Sequence, residues 1–190
     1  MSFMNIFFIT AVYNGSCWFL APCQIYADYH SIRNMNKLLP KIIICVLICA
    51  GLGALSGLST VDAINGWYQA LKKPLWNPPN SVFGPVWTLL YILMGISAAL
   101  VWHSRNENKK KALVFFLIQF ILNLLWSYIF FGRQDISLAL ADIIALWLMI
   151  IITIIYFYRI NRSAAILLIP YMLWVSFATV LNYSIYMLNR

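Results

Sequence analysis

Apolar runs of membrane-spanning length recur five times along the chain, at about 41–59, 81–102, 112–131, 136–158 and 163–187. Crossing the hydrocarbon core takes about 20 apolar residues in a helix. The pattern therefore predicts five transmembrane helices. Short polar joints at 105–111, 132–135 and 159–162 force the helices they connect to run antiparallel. The connection over 60–80 is longer and of a different character. The expected fold is an all-α membrane protein, a five-transmembrane-helix bundle with a long structured loop between helices 1 and 2. No internal repeat is evident, which argues against a transporter built from two inverted halves.

That loop enters the second helix through WYQALKKPLWNPPNSVFGPVWTLLY, Trp67 to Tyr91. Pro74, Pro78 and Pro79 remove backbone donors and fix φ, so Lys73–Asn80 is neither helix nor central strand. An aromatic-rich, proline-stiffened segment leading into an apolar run reads as a folded lid at the membrane surface. Residues 1–37 differ from the rest. Their apolar run Phe3–Tyr13 is too short to span and is broken at Asn14-Gly15. They read as an N-terminal extension before a membrane domain over 38–190. The extension is an interfacial segment, a mobile tail, or untranslated sequence ahead of a start at Met35.

Composition agrees with a membrane setting: 63% of residues are hydrophobic and 9% charged, against about 25% charged in a soluble domain. The net charge of +8 does not point to nucleic acid, because no interleaved basic–aromatic surface accompanies it. The basic residues sit in the joints and fix orientation. Arg33, Lys37, Lys41, Arg105, Lys109, Lys110, Lys111, Arg159 and Arg162 fall on the N-terminal side, and Lys72, Lys73, Arg133 and Arg190 on the other. The N-terminus is thus expected in the cytoplasm and the lid outside. With no secretory signal evident, a bacterial inner membrane is the expected host. Cys17 and Cys23 match no metal spacing, and Cys45 and Cys49 read as small buried residues of one helix. The lone histidines, His30 and His103, lie away from pocket depth. No metal or cofactor is expected, and no conventional catalytic motif is present.

Polar and aromatic residues meet at one level. At about 1.5 Å per residue, Trp87, Asn123, Trp126, Asp142 and Asn182 lie about 8–12 Å below the lid-side ends of their helices. Ala178 and Trp174 lie deeper on the fifth helix. Trp87 and Tyr91 share a face at i,i+4; Asn123, Trp126, Ser127 and Phe130 share another; Tyr171, Trp174, Ala178 and Asn182 form a stripe. Amides and carboxylates avoid lipid, so these stripes should turn inward. The expectation is a cavity walled by indoles and phenols and open toward the lid, with Trp76 on the lid itself. Asp142 has two readings, a pocket group or a tie between helices. Trp18, Trp67 and Trp102 read as interfacial or surface tryptophans, and Trp147 as packing. Gly53 and Gly57 permit close helix approach, within the monomer or in a dimer. Lys72 and Lys73 have two readings also, as partners for acidic groups at the pocket edge or as solvated, headgroup-facing cations.

The assembled residues resemble the TspO/MBR family, the tryptophan-rich sensory proteins and the mitochondrial translocator protein. The matching motifs are W-Y-x-x-L-x-K-P-x-W-x-P-P at Trp67–Pro79 and V-F-G-P-V-W-T-x-L-Y at Val82–Tyr91. Further on come Q-x-x-x-N-x-x-W-S-x-x-F-F at Gln119–Phe131, A-L-A-D at Ala139–Asp142, and L-L-I-P-Y-x-L-W-V-x-F-A-T-x-L-N at Leu167–Asn182. The resemblance implies a five-helix bundle, often a homodimer, whose first loop closes a ligand pocket. It implies binding of porphyrins such as protoporphyrin IX, and in some members light-dependent porphyrin degradation involving tryptophans at the positions of Trp87 and Trp174. Tyr68, Asn123, Trp126 and Ala178 match pocket-lining positions of the family. The function expected is sensing, regulation or photodegradation of porphyrins. Transport of small hydrophobic molecules and a ligand-gated membrane scaffold are the alternatives.

Overall fold

The computed structural model describes the backbone of residues 21–58 and 60–190. The expectations for residues 1–20, and for the side chains of Cys23 and His30, fall outside the described residues. The residues of the bundle core and of the site described below lie within one compact unit, Pro40–Arg190.

Among the described residues helices are the only regular secondary structure. Helix α1 covers Ala21–Leu58, α2 Val61–Asn65, α3 Trp67–Ala70 and α4 Asn80–His103. Helix α5, Lys109–Ser127, continues into a π turn at Tyr128–Gly132; α6 covers Ile136–Ile160, α7 Arg162–Leu167 and α8 Ile169–Asn189. Five segments are long and apolar enough to cross a membrane: Asn36–Leu58, Asn80–His103, Lys109–Gly132, Ile136–Ile160 and Arg162–Asn189. The five-span, all-helical expectation holds. The helix ends differ from the apolar runs by a few residues because capping, not hydropathy, terminates them. Asp135 accepts the Leu138 N–H at 2.9 Å, and Asn161 accepts the Ala164 N–H at 3.0 Å, which starts α6 and α7.

Two features were not legible as runs of hydropathy. The first is the π turn, in which the Arg133 N–H reaches back five residues to the Tyr128 carbonyl at 2.9 Å. The second is the break at Leu168 inside the last span. Pro170 has no N–H to return to Ile166, so the helix cannot run on unbroken.

Helix α6 is the scaffold of the bundle. Ile143, Leu146, Ile150 and Phe157, at helical spacing, are at most 2% exposed and form one core with Met94, Val101, Leu168, Tyr171 and Val175. Ser97 ties α4 to the start of the last span by donating to the Ala164 carbonyl at 2.7 Å. Helix α1 is the least buried span. It meets α4 through glycines. A Cβ on Gly95 would lie 2.6 Å from Val46 Cα, and one on Gly53 would overlap the Tyr91 ring. Gly57 has nothing near its Cβ position, so only Gly53 of the spaced pair makes a close approach, and it does so within the monomer.

Candidate functional site

A cavity of 710 Å³ lies between the spans on the side of the 60–80 connection. Its walls are α1, α4, α5 with the π turn, and α8. From α4 come Phe83, Trp87 and Tyr91; from α5 and the π turn Asn123, Trp126, Ser127, Phe130 and Phe131. Helix α8 gives Trp174, Ala178, Leu181, Asn182 and Ile185, and the connection gives Thr60, Ile64 and Tyr68.

The rings are fixed against each other. Trp87 stacks on Tyr91 at 5.5 Å and meets Tyr171 edge-on at 6.4 Å. Trp126 stacks on Phe130 at 5.2 Å, and Trp174 packs on Phe83 at 5.9 Å and Phe177 at 5.5 Å. Such contacts are worth about 0.5–1.5 kcal/mol each beyond burial, enough to hold the indoles in place while leaving one edge or face to the cavity.

Polar groups are few. The Tyr91 hydroxyl donates to Asn123 Oδ1 at 2.8 Å, a buried bond that fixes both side chains. Asn182 is 2% exposed and lines the cavity, yet neither its amide nitrogen nor its oxygen has a partner; the Trp126 indole N–H is likewise unpartnered. A buried polar atom without a partner costs about 1–3 kcal/mol. Both groups belong to residues of the cavity wall, so a modest side-chain rearrangement around a ligand or water could satisfy them.

The lid is a knot of side-chain bonds. Tyr68, 5% exposed, donates its hydroxyl to Asn77 Oδ1 at 2.9 Å. Burial pushes this phenol above its ordinary range, against the smaller opposite effect of the Asn77 bond. The Lys73 ammonium donates to the carbonyls of Tyr68 at 2.6 Å, Leu71 at 3.0 Å and Gln69 at 3.1 Å, and lies 4.8 Å over the Tyr68 ring. Asn189, near the end of α8, clasps the Lys72 backbone through both amide atoms, at 3.0 and 2.8 Å. Residues 73–79 are neither helix nor strand, as their prolines require.

The sequence-derived set divides accordingly. Tyr68, Trp87, Tyr91, Asn123, Trp126, Trp174, Ala178 and Asn182 line the cavity. Trp76, Tyr171 and Asp142 do not. Trp76 is 47% exposed and rests edge-on against Phe177 at 5.8 Å, on the outer side of the lid. Tyr171 is fully buried behind Trp87. Asp142 is half-buried on α6, the scaffold helix, which contributes no residue to the lining. The Lys73 ammonium is engaged by the lid's own carbonyls. Trp67 is not a surface residue either, because it packs edge-on Phe130 at 5.5 Å. Trp147 packs as expected, with its indole donating to Ser176 Oγ at 2.8 Å.

The model of the TspO/MBR family matches residues 45–188. The chain belongs to the TspO/MBR family. It is 41% identical over 159 residues to the tryptophan-rich protein TspO of Chlorobaculum tepidum, covering 82% of this chain and 99% of that one. It is 40% identical over 149 residues to the protein of the same name from Archaeoglobus fulgidus, covering 78% and 97%. The human translocator protein is 39% identical over 127 residues, covering 65% and 75%. In this TspO/MBR protein, sequence reasoning missed Asn77 and Asn189, which hold the lid, and the role of α1 as a cavity wall. No local signal could have paired Asn189 with Lys72, 117 residues earlier. The wall of Ala50, Gly53, Ala54 and Gly57 was legible only as a small-residue face of an apolar helix.

Proposed function

We propose that this TspO/MBR membrane protein binds a flat, largely apolar tetrapyrrole, with protoporphyrin IX as the representative, and acts in sensing or clearing it. The observation that carries this is the cavity: three indoles and several phenyl and phenol rings, with the Asn182 amide and the Trp126 N–H unpartnered among them. At 710 Å³ it falls within the range of about 300–1,000 Å³ that small-molecule sites occupy. Ring faces suit a conjugated macrocycle, and the unpartnered groups suit its polar edge.

Trp87 and Trp174 are the residues assigned to porphyrin photochemistry, since both present indoles to the same space. Purified protein titrated with protoporphyrin IX is expected to show quenching of tryptophan fluorescence and loss of pigment under light. The Trp87→Phe, Trp174→Phe double variant should weaken binding and slow the loss. Unchanged affinity and unchanged light-dependent loss in that variant would refute the assignment. The reading also puts the protein in a bacterial inner membrane with the basic N-terminal side in the cytoplasm, which reporter fusions at the 105–111 joint and at the C-terminus test directly.

A further inference from the structure

The exposed residues of the cavity lining are confined to two helices. They are Ala54, Gly57 and Leu58 on α1, and Asn80, Gly84 and Thr88 on α4. Every lining residue contributed by the lid, α5, the π turn or α8 is buried or partly buried. Of the residues that the 60–80 connection adds to the lining, Thr60 is 4% and Tyr68 5% exposed. The exposed part of the lining is thus a strip carried by α1 and α4. The cavity's mouth is a slot between α1 and α4.

The slot lies at membrane level. Thr88 is about 12 Å along α4 from Asn80, counted at 1.5 Å per residue, well inside the span Asn80–His103. The two helices touch deep in the bundle and part toward the lid. At the deep end, Gly95 admits the Val46 backbone and Gly53 admits the Tyr91 ring. At the shallow end, Gly57 and Gly84 both have open space where a Cβ would stand. The one hydroxyl at the rim is already satisfied: Thr88 donates to the Gly84 carbonyl at 2.9 Å.

We infer that the slot between α1 and α4 is a lateral portal through which an apolar ligand dissolved in the bilayer exchanges with the cavity. The inference rests on the tetrapyrrole-binding reading for the identity of the cargo, but not for the existence of the opening. A ligand entering this way never crosses water, and the lid's hydrogen-bonded knot stays closed. The small residues at the rim are what keep the slot wide enough for a flat molecule to pass edge-first.

Two measurements on the full chain in phospholipid vesicles test the portal. The first is stopped-flow exchange of protoporphyrin IX followed by tryptophan quenching. Gly57→Leu and Gly84→Leu fill space that is empty, so folding should tolerate them. Each is expected to slow both association and dissociation by about tenfold or more, whereas Lys73→Met, which loosens the lid, leaves the rates near those of the parent. Acceleration by Lys73→Met, or faster dissociation in the leucine variants, would overturn the portal. The second measurement needs no ligand. A nitroxide at Thr88→Cys, with the four native cysteines replaced by alanine, should collide readily with dissolved oxygen and poorly with a water-soluble nickel chelate. Preferential access by nickel would mean that the slot faces water and would sink the inference. If the parent protein does not bind protoporphyrin IX, the functional reading fails, and the nitroxide result alone decides the portal.

Discussion

Replacing Gly95 by alanine is the sharpest test of how α1 is held. The added Cβ would lie 2.6 Å from Val46 Cα, 2.7 Å from Val46 N and 2.9 Å from Val46 Cγ2. Two of these atoms are backbone and cannot rotate away. Either α1 moves out by several tenths of an ångström or α4 distorts within a core where Met94, Ala99 and Val101 are fully buried. Overpacking of this kind costs about 1–3 kcal/mol, which is about a 5- to 150-fold change in the folded-to-unfolded ratio. Gly51→Ala is the matched control: it lies on the same helix pair, its Cβ position is empty, and exchanging glycine for alanine favours a helix by up to about 1 kcal/mol. Reversible unfolding in mixed micelles, read by circular dichroism, should rank Gly51→Ala at or above the parent and Gly95→Ala below it. Because α1 is the least buried span, the strain should be released by its displacement, so exchange of cavity ligand should quicken as stability falls. A Gly95→Ala variant as stable as the parent would show that the backbones do not approach as described, and the account of the α1–α4 contact would be wrong.

The lid and the joint before α6 give two further tests. Lys73→Met removes the donor that holds three carbonyls; each bond to a charged donor is worth about 1.5–3 kcal/mol when buried, and with the ammonium only partly buried the loop should lose about 1–3 kcal/mol in all. Hydrogen–deuterium exchange over 66–77 should rise selectively, and unchanged protection there would show that the clasp is idle. Asp135 is held below the ordinary carboxylate range, first by the Leu138 N–H and then by the Ser137 hydroxyl. A depressed carboxylate contributes stability that is full above its unfolded value of about 3.9 and is lost as pH falls through the lower folded one. Acid unfolding below about pH 4 should therefore be shallower in Asp135→Asn than in the parent; identical acid limbs would remove Asp135 from the account.

How much of this was legible in the sequence depends on the range of the interaction. Spans follow from composition within each segment, and facing stripes from spacing within a helix, so Trp87 with Tyr91, Asn123 with Trp126, and Trp174 with Ala178 and Asn182 could be assigned to one space. Tyr171 belongs to the last of those stripes by spacing but lies a full turn deeper, behind Trp87, where the cavity has already closed. Asp142 lies off the cavity lining for a different reason. Its depth is right, yet which helix becomes the central scaffold is decided by tertiary packing, and α6 stands away from the cavity. Closure of the lid rests on Lys73 folding back onto its own loop and on Asn189 reaching it from the far end of the chain. Neither leaves a periodic trace.

The π turn shows how a local irregularity completes the wall. An α-helix advances about 100° per residue, so neighbours in sequence face well apart. Letting the Arg133 N–H reach the Tyr128 carbonyl puts five residues into the turn and slows that rotation. Phe130 and Phe131 then both line the cavity although they are adjacent, with their rings 4.9 Å apart and nearly perpendicular. Phe131 meets Tyr68 at 5.8 Å and Phe130 meets Trp67 at 5.5 Å, so the same turn that widens the aromatic wall also seats the lid. With this rim fixed by ring contacts and the opposite rim, between α1 and α4, built of small residues, any opening motion is directed to the side where the least packing has to be broken.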